Sequence, residues 1–310
     1  MSAFPLELFT FMADLGFEGK VAIITGGGGG LGREHALEFA RRGARVVVND
    51  LGGAVDGSGE SKSAAELVVT EIQGLGGEAF ANGDSVATQA GGEAIVKSAI
   101  DAFGQVDIVV NNAGILRDKT FHNMTDDFLT PVVDVHLKAA FYVTRPAWIH
   151  FREQGSGRVI NTSSNSGLLG NFGQTNYAAA KLGLVGLTRV LAAEGAKYNI
   201  KANAIAPVAR TRMTEDLLGS MADALDPKLV TPLVVWLAHE SCETSGNVYS
   251  AAGGTVARFF IGLTQGTHRG ADISVESVRD DWDQINDEAG YIVPGSPADE
   301  FAKLLKQWKA

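Results

Sequence analysis

From Lys20 onward the chain repeats one unit, a short apolar run rich in β-branched residues, then a turn, then a longer stretch with helical spacing of its apolar positions. Runs of that kind suit strands buried on both faces, which is the situation of a parallel sheet covered by its crossover helices. The spacing predicts strands at 21–25, 44–49, 78–81, 106–111, 158–162, 201–205 and 247–251, with helices in the intervals. Right-handed crossovers then give an α/β fold with a doubly wound parallel sheet of about seven strands, whose ligand crevice lies beyond the carboxyl ends of the strands. No internal repeat interrupts this pattern, and the only low-complexity patch is 52–59, read as a loose loop.

The 310 residues are read as a single domain, with a core at about 19–255 and a C-terminal helical extension at about 266–310. The extension is rich in Asp and Glu and carries Trp282 and Trp308; it packs as helices or forms a flexible tail. Hydrophobic residues make up 45% and charged residues 20%, which excludes a disordered chain. The net charge of −10 argues against nucleic-acid binding, although Arg210 and Arg212 are candidates for a local phosphate contact. The single Cys242 cannot form an intramolecular disulfide, so a reducing, cytoplasmic setting is expected, with the thiol as a small buried residue. Segment 4–15 has no positive region before its apolar stretch and contains Glu7 and Asp14, so neither a signal peptide nor a membrane span is expected. Gln307-Trp308-Lys309-Ala310 is not a Ser-Lys-Leu-like ending. No Cys/His cluster has metal-ligand spacing, so no metal is expected.

Thr25-Gly26-x-x-x-Gly30-Leu31-Gly32 closes the first strand and opens a helical pattern. Glycines there permit a tight turn and let backbone N–H groups meet a pyrophosphate at the positive end of the helix, as in Rossmann-like folds. Asp50 ends the second strand, where a carboxylate accepts from an adenosine ribose and repels a 2′-phosphate, favouring NAD over NADP; a strand-ending turn residue is the alternative. Asp84 and Ser85 follow the third strand, where Asp84 either touches the adenine or caps the next helix. Asn112, Ala113 and Gly114 close the fourth strand, with Asn112 as a loop tie or a cofactor contact and Gly114 allowing close approach.

Tyr177 and Lys181 stand at i and i+4 on a predicted helix, thirteen residues after Ser164. A free tyrosine loses its proton near pH ~10, and a fixed neighbouring ammonium favours the phenolate. Lys181 is expected to supply that charge, with Tyr177 as acid/base and Ser164 hydrogen-bonding the same substrate oxygen. No Gly-x-Ser-x-Gly elbow surrounds Ser164, so hydrolysis is not implied.

These motifs, in this order and with Asn111-Asn112-Ala113-Gly114, resemble the short-chain dehydrogenase/reductase family from about Gly19 to Thr255. The resemblance implies catalytic Ser164, Tyr177 and Lys181, and a nicotinamide-side contact by Pro207 and Thr211, with Val208 in place of a glycine. It also implies that His136 stands where many members carry a proton-relay asparagine; a satisfied structural histidine is the other reading. Val47-Val48-Asn49-Asp50-Leu51-Gly52-Gly53, Gly170-Asn171-Phe172-Gly173-Gln174, Ala180-Lys181-Leu182-Gly183 and His239-Glu240-Ser241-Cys242-Glu243 are more closely similar to the (3R)-hydroxyacyl-CoA dehydrogenase branch. That branch includes part of the peroxisomal multifunctional enzymes type 2, which also bear the name 17β-hydroxysteroid dehydrogenase type 4.

The implied function is an NAD-dependent oxidation of a secondary alcohol to a ketone, with a (3R)-hydroxyacyl-CoA first and a 17β-hydroxysteroid second. A non-catalytic NAD-binding sensor is the alternative of another class. Met213, Leu217, Leu218 and Met221 have helical spacing and either cover an apolar substrate or join the core. The small residues Ala178, Ala179, Gly183 and Gly186 imply, by resemblance, that helices at 126–151 and 175–198 pair copies into a homodimer or homotetramer; tight packing inside one subunit is the other reading.

Overall fold

The structure is a computed structural model, and it describes residues 15–54, 56, 58–59, 63–210 and 224–309. Eight strands form one sheet: β1 Val21–Thr25, β2 Arg45–Asn49, β3 Ala79–Asn82, β4 Ile108–Asn111, β5 Gly157–Thr162, β6 Ile200–Val208, β7 Val248–Ala252 and β8 Thr255–Phe259. Their order is β3-β2-β1-β4-β5-β6-β7-β8, and the ladders joining the first seven are parallel. The order reverses between β1 and β4, which opens a crevice at their carboxyl ends.

The eighth strand goes beyond the sequence expectation. It follows β7 through Gly253-Gly254, with φ of +53° and +80°, and a two-residue connection of that conformation joins antiparallel neighbours. Almost its whole length is exposed, so no buried apolar run marks it.

Alternation along β1 sends Ala22 and Ile24 to one face and Val21 and Ile23 to the other. The first face packs on α1 Gly30–Arg41, α2 Ser63–Gly74 and a later helix, Thr231–Ala238, through Leu37, Phe39, Ile72, Val234 and Leu237. The second packs on α3 Gln89–Phe103 and on a long helix after β4, through Ile95, Val96, Val143 and Phe151. That long helix runs as α4 Asp126–Val133, a wide π turn at Asp134–Lys138, and α5 Ala139–Gln154. After β5 come α6 Asn165–Leu169 and α7 Thr175–Gly195; the helix at Thr231–Ala238 is α8. Among the described residues no helix is long and apolar enough to cross a membrane.

Residues 259–310 form a compact unit of their own. It begins at Phe259, earlier than the extension expected from about Gly266, and holds α9 Val275–Asp280, α10 Trp282–Asn286 and α11 Pro297–Trp308. Ser274 and Ser296 each form a capping box, Phe260 stacks on Tyr291, and Leu263 bridges Ile292, so the segment is folded.

Candidate active site

A cavity of about 420 Å³ lies beyond the carboxyl ends of the central strands. Its floor begins where β1 ends at the buried Thr25 and the chain turns through Gly26, whose φ is +64°. A Cβ on Gly26 would stand 2.8 Å from the Ala113 Cα, and one on Gly32 would stand 2.1 Å from the Gly26 carbonyl oxygen. Both distances are below any real contact, so this turn admits only glycine. Gly29 is the N-cap of α1 and has no side-chain cap bond, so the first-turn N–H groups of a helix lining the cavity lack a side-chain acceptor. The chain that would face an anion here presents only backbone and a positive helix end, which fits a pyrophosphate.

The Asp50 carboxylate borders the cavity and is fixed from two sides: Oδ2 accepts from Gly28 N at 2.8 Å and Oδ1 from Gly52 N at 2.7 Å. One oxygen therefore braces the glycine turn, and Asp50 holds the cradle together as well as facing the cavity. Asp84 and Ser85 also line the cavity. Asp84 does not cap α3; Thr88 does, accepting from Gly91 N, while the Asp84 carboxylate accepts from Asn82 Nδ2 at 2.9 Å. Asn49 Nδ2 completes this group by donating to the Asp84 carbonyl at 2.9 Å.

Asn112 acts as a tie. Its Nδ2 donates to the carbonyls of Thr25 and Gly26 at 3.0 and 3.2 Å, and Thr25 Oγ1 accepts from the N–H groups of Asn112 and Ala113. This locks the glycine turn to the end of β4. Gly114 has a second reason to be glycine: a Cβ there would fall 2.4 Å from Cε1 of His136.

The catalytic candidates lie on the opposite wall. Ser164 N-caps α6, its Oγ accepting from Ser166 N at 3.1 Å, so the hydroxyl is held at the end of β5. Lys181 is 3% exposed, and its Nζ donates to the Thr162 carbonyl at 2.5 Å and lies 5.5 Å from the Tyr177 ring centroid. Burial lowers the Lys181 ammonium to about 7. Burial pushes the Tyr177 phenol above its ordinary value, against a hydrogen bond with Ser164 that pulls it down and the Asp118 charge that adds to the rise. The expectation that Lys181 makes Tyr177 acidic is thus corrected for this arrangement. Both groups are desolvated, and burial is the first cause of each shift.

The π turn carries His136 inward, where it is 4% exposed and meets the Tyr177 ring edge to face at 5.0 Å. Its Nε2 lies 3.1 Å from Ile115 N and 2.8 Å from Ile115 O, while Nδ1 has no partner among the described residues. Burial first, and the Lys181 charge second, lower its pKa well below the ordinary value, so the ring is neutral. A cavity of about 10 Å³ borders both His136 and Lys181. Room of that size holds about one water.

Ser164, Tyr177, Lys181 and His136 therefore border the same cavity as Gly26, Gly30, Leu31, Asp50, Asp84, Ser85, Asn112, Ala113, Gly114 and Pro207. Gly32 stands behind the turn. Thr211, like Arg212, Met213, Leu217, Leu218 and Met221, lies outside the described residues. Arg210 donates its N–H to Leu225 O at 2.6 Å. Cys242 is buried in the core, as expected. The sequence reading assigned no role to Gln174, Asn176 or Asp118, yet Gln174 donates to Asp118 at 2.8 Å, and Asn176 Nδ2 donates to the carbonyls of Arg117 and Phe128 at 2.8 Å each. Two amide side chains within three residues before a candidate tyrosine were the available signal.

Residues 20–220 match the family model for short chain dehydrogenases. The chain belongs to that family, and it is an oxidoreductase. It is 52% identical over 281 residues to a short-chain type dehydrogenase/reductase of Mycobacterium tuberculosis, covering 90% of this chain and 98% of that one. It is 50% identical over 277 residues to the mouse peroxisomal multifunctional enzyme type 2, covering 88% of this chain but only 37% of that longer enzyme. Identity to the M. tuberculosis hydroxyacyl-CoA dehydrogenase ChsB1 is 39% over 251 residues, or 76% and 78% of the two chains. Among solved structures, a 7α-hydroxysteroid dehydrogenase complexed with NADH and 7-oxo glycochenodeoxycholic acid superposes with a TM-score of 0.71 at 30% identity, covering 78% of this chain and 96% of that one.

Proposed function

We propose that this short-chain dehydrogenase uses NAD to interconvert a (3R)-hydroxyacyl-CoA and the 3-oxoacyl-CoA, in breakdown of fatty or sterol side chains. The observation that carries the reading is one cavity bordered on one side by the glycine turn and Asp50, and on the other by Ser164, Tyr177, Lys181 and His136. Gly26, Gly30, Leu31, Gly32, Asp50, Asp84, Ser85, Asn112, Ala113, Gly114 and Pro207 would hold the dinucleotide. Thr211 joins them by resemblance. Asp50 favours NAD, because a 2′-phosphate there meets like charge. When bound, the nicotinamide ring supplies the hydride acceptor.

The protein's own residues handle the proton. In oxidation Tyr177 first passes its own proton on and then, as phenolate, takes the proton of the substrate hydroxyl. In reduction the phenol donates it back, while Ser164 hydrogen-bonds the same oxygen. With its pKa near 7, Lys181 exchanges a proton readily at neutral pH, and neutral His136 both accepts and donates. The small cavity borders both of these groups, and a single water there would let a proton pass between Lys181 and His136.

The hydroxyacyl-CoA substrate is supported by the name of a relative, and a 17β-hydroxysteroid is the second reading; the superposed 7α-hydroxysteroid dehydrogenase supports the steroid class, at a different ring position. We further infer a homodimer or homotetramer in the cytoplasm. The exposed Phe141 and Ile149 on α5, and Leu182 and Val190 on α7, supply apolar faces for pairing of copies. Incubation with NAD and a panel of (3R)-hydroxyacyl-CoA and 17β-hydroxysteroid substrates, read by NADH absorbance, tests the assignment. Turnover of the thioesters is expected, and turnover of steroids alone would replace it with the second reading.

A further inference from the structure

Arg117 follows the fourth-strand loop that lines the cavity with Gly114, Ile115 and Leu116. Its main chain is fixed to the segment that leads into Tyr177. The Arg117 carbonyl accepts from Asn176 Nδ2 at 2.8 Å, and Asn176 is 2% exposed. Lys119 N donates to Gly173 O at 2.8 Å, and Asp118 accepts from Gln174 at 2.8 Å. Three consecutive residues are thus sewn along the chain just ahead of the catalytic tyrosine.

The Arg117 side chain reaches elsewhere. Its Nε donates to the Asp56 carbonyl at 2.8 Å and its Nη1 to the Asp127 carbonyl at 2.7 Å. Asp56 belongs to the segment after β2, whose Leu51, Gly53 and Ala54 line the same cavity near Asp50. Asp56 is coupled to those residues by a local turn: Asp56 Oδ1 accepts from Ser58 N and Oγ at 2.9 and 2.7 Å, and Ala54 N donates to Ser58 O at 2.7 Å. One planar guanidinium with several fixed donors therefore bridges the dinucleotide side and the catalytic side of the crevice.

We infer that Arg117 is a positioning residue that clamps the segment after β2 to the catalytic half of the crevice, so that the dinucleotide is retained through a group placed away from the reacting atoms. The inference rests on the NAD reading above. It makes affinity for NADH, and the rate of its release, depend on a side chain outside both the glycine turn and the catalytic group.

The test is NADH binding by fluorescence titration and release by stopped flow, on the full chain carrying Arg117→Gln or Arg117→Lys. Arg117→Gln is expected to raise the NADH Kd about tenfold, mainly through faster release, because two charge-assisted hydrogen bonds are lost. Arg117→Lys, which keeps the charge but not the forked geometry, falls between that variant and the unaltered protein. The KM for the alcohol and the pH profile of turnover at saturating NAD stay as they were. An unchanged NADH Kd in both variants, each with the melting temperature of the unaltered protein, overturns the clamp while leaving the cofactor reading intact. A change confined to the alcohol KM also overturns it and makes Arg117 a substrate contact. If the unaltered protein binds no NADH, the cofactor reading falls and the inference falls with it.

Discussion

The two walls of the crevice are built in opposite ways. On the β1–β2 side the work is done by backbone: Gly26 and Gly32 leave no space for a Cβ, Asn112 ties carbonyls, and the Asp50 carboxylate braces two N–H groups. On the β4–β6 side the work is done by buried side chains, and burial sets their charge states: Lys181 falls to about 7, the Tyr177 phenol rises and His136 stays neutral. A backbone site fails by steric intrusion. A site of desolvated ionisable groups fails by loss of its proton chemistry.

That contrast is sharpest at Gly32. Gly32→Ala places a methyl against the Gly26 carbonyl oxygen, so the turn must open. NADH affinity is expected to fall by at least about tenfold, with a stability loss of about 1–3 kcal/mol, the usual cost of overpacking. Calorimetric titration together with thermal melting checks both, and intact affinity would mean that the turn is not the pyrophosphate cradle. A smaller effect is expected at Asp50. Asp50→Ser removes the charge that repels a 2′-phosphate, and the NAD/NADP ratio of kcat/KM should drop about tenfold, the scale of one charge-assisted hydrogen bond. An unaltered ratio would reduce Asp50 to its bracing of Gly28 and Gly52.

A third test concerns a buried ionisable group on the backbone side, and it leaves turnover untouched. His35 on α1 is fully buried, bonds Thr231 through Nδ1 at 2.8 Å, and has its pKa lowered by burial to about 3. It does not border the crevice, so its contribution is to stability alone. The neutral ring is the folded form, so the contribution is complete above the unfolded value near 6.5 and is lost as pH falls from there toward 3. Urea unfolding should show stability falling with acid by roughly 1.4 kcal/mol per pH unit in that window from this group. His35→Leu should flatten that part of the profile and leave turnover unaltered at neutral pH. His136, equally buried but set against Tyr177, should instead affect turnover.

The contrast also explains what could be read from the sequence. Glycine spacing, β-branched runs and a carboxylate at a strand end are local signals, so β1 to β7 and the cradle were legible, as was the Tyr177/Lys181 pair on one helix face. The remainder depends on contacts distant in sequence. Nothing in Asp134 to Lys138 announces the π turn that carries His136 to Tyr177, and the need for Gly114 becomes visible only once that ring is in place. The capping of α3 falls to Thr88 because it immediately precedes the helix, whereas Asp84 lies further upstream and bonds Asn82. The rise at Tyr177 was not legible because a neighbouring ammonium is visible in sequence, whereas the burial that raises the phenol is not. The exposed β8 has no apolar pattern to betray it.

The central claim is that a tyrosine on one wall moves the proton while the other wall holds the dinucleotide, and Tyr177→Phe divides those duties in a single protein. Measured side by side, NADH affinity should stay at the level of the unaltered chain while turnover of the hydroxyacyl thioester falls by at least about a hundredfold, the scale of a lost acid/base. Undiminished turnover in that variant would contradict the account.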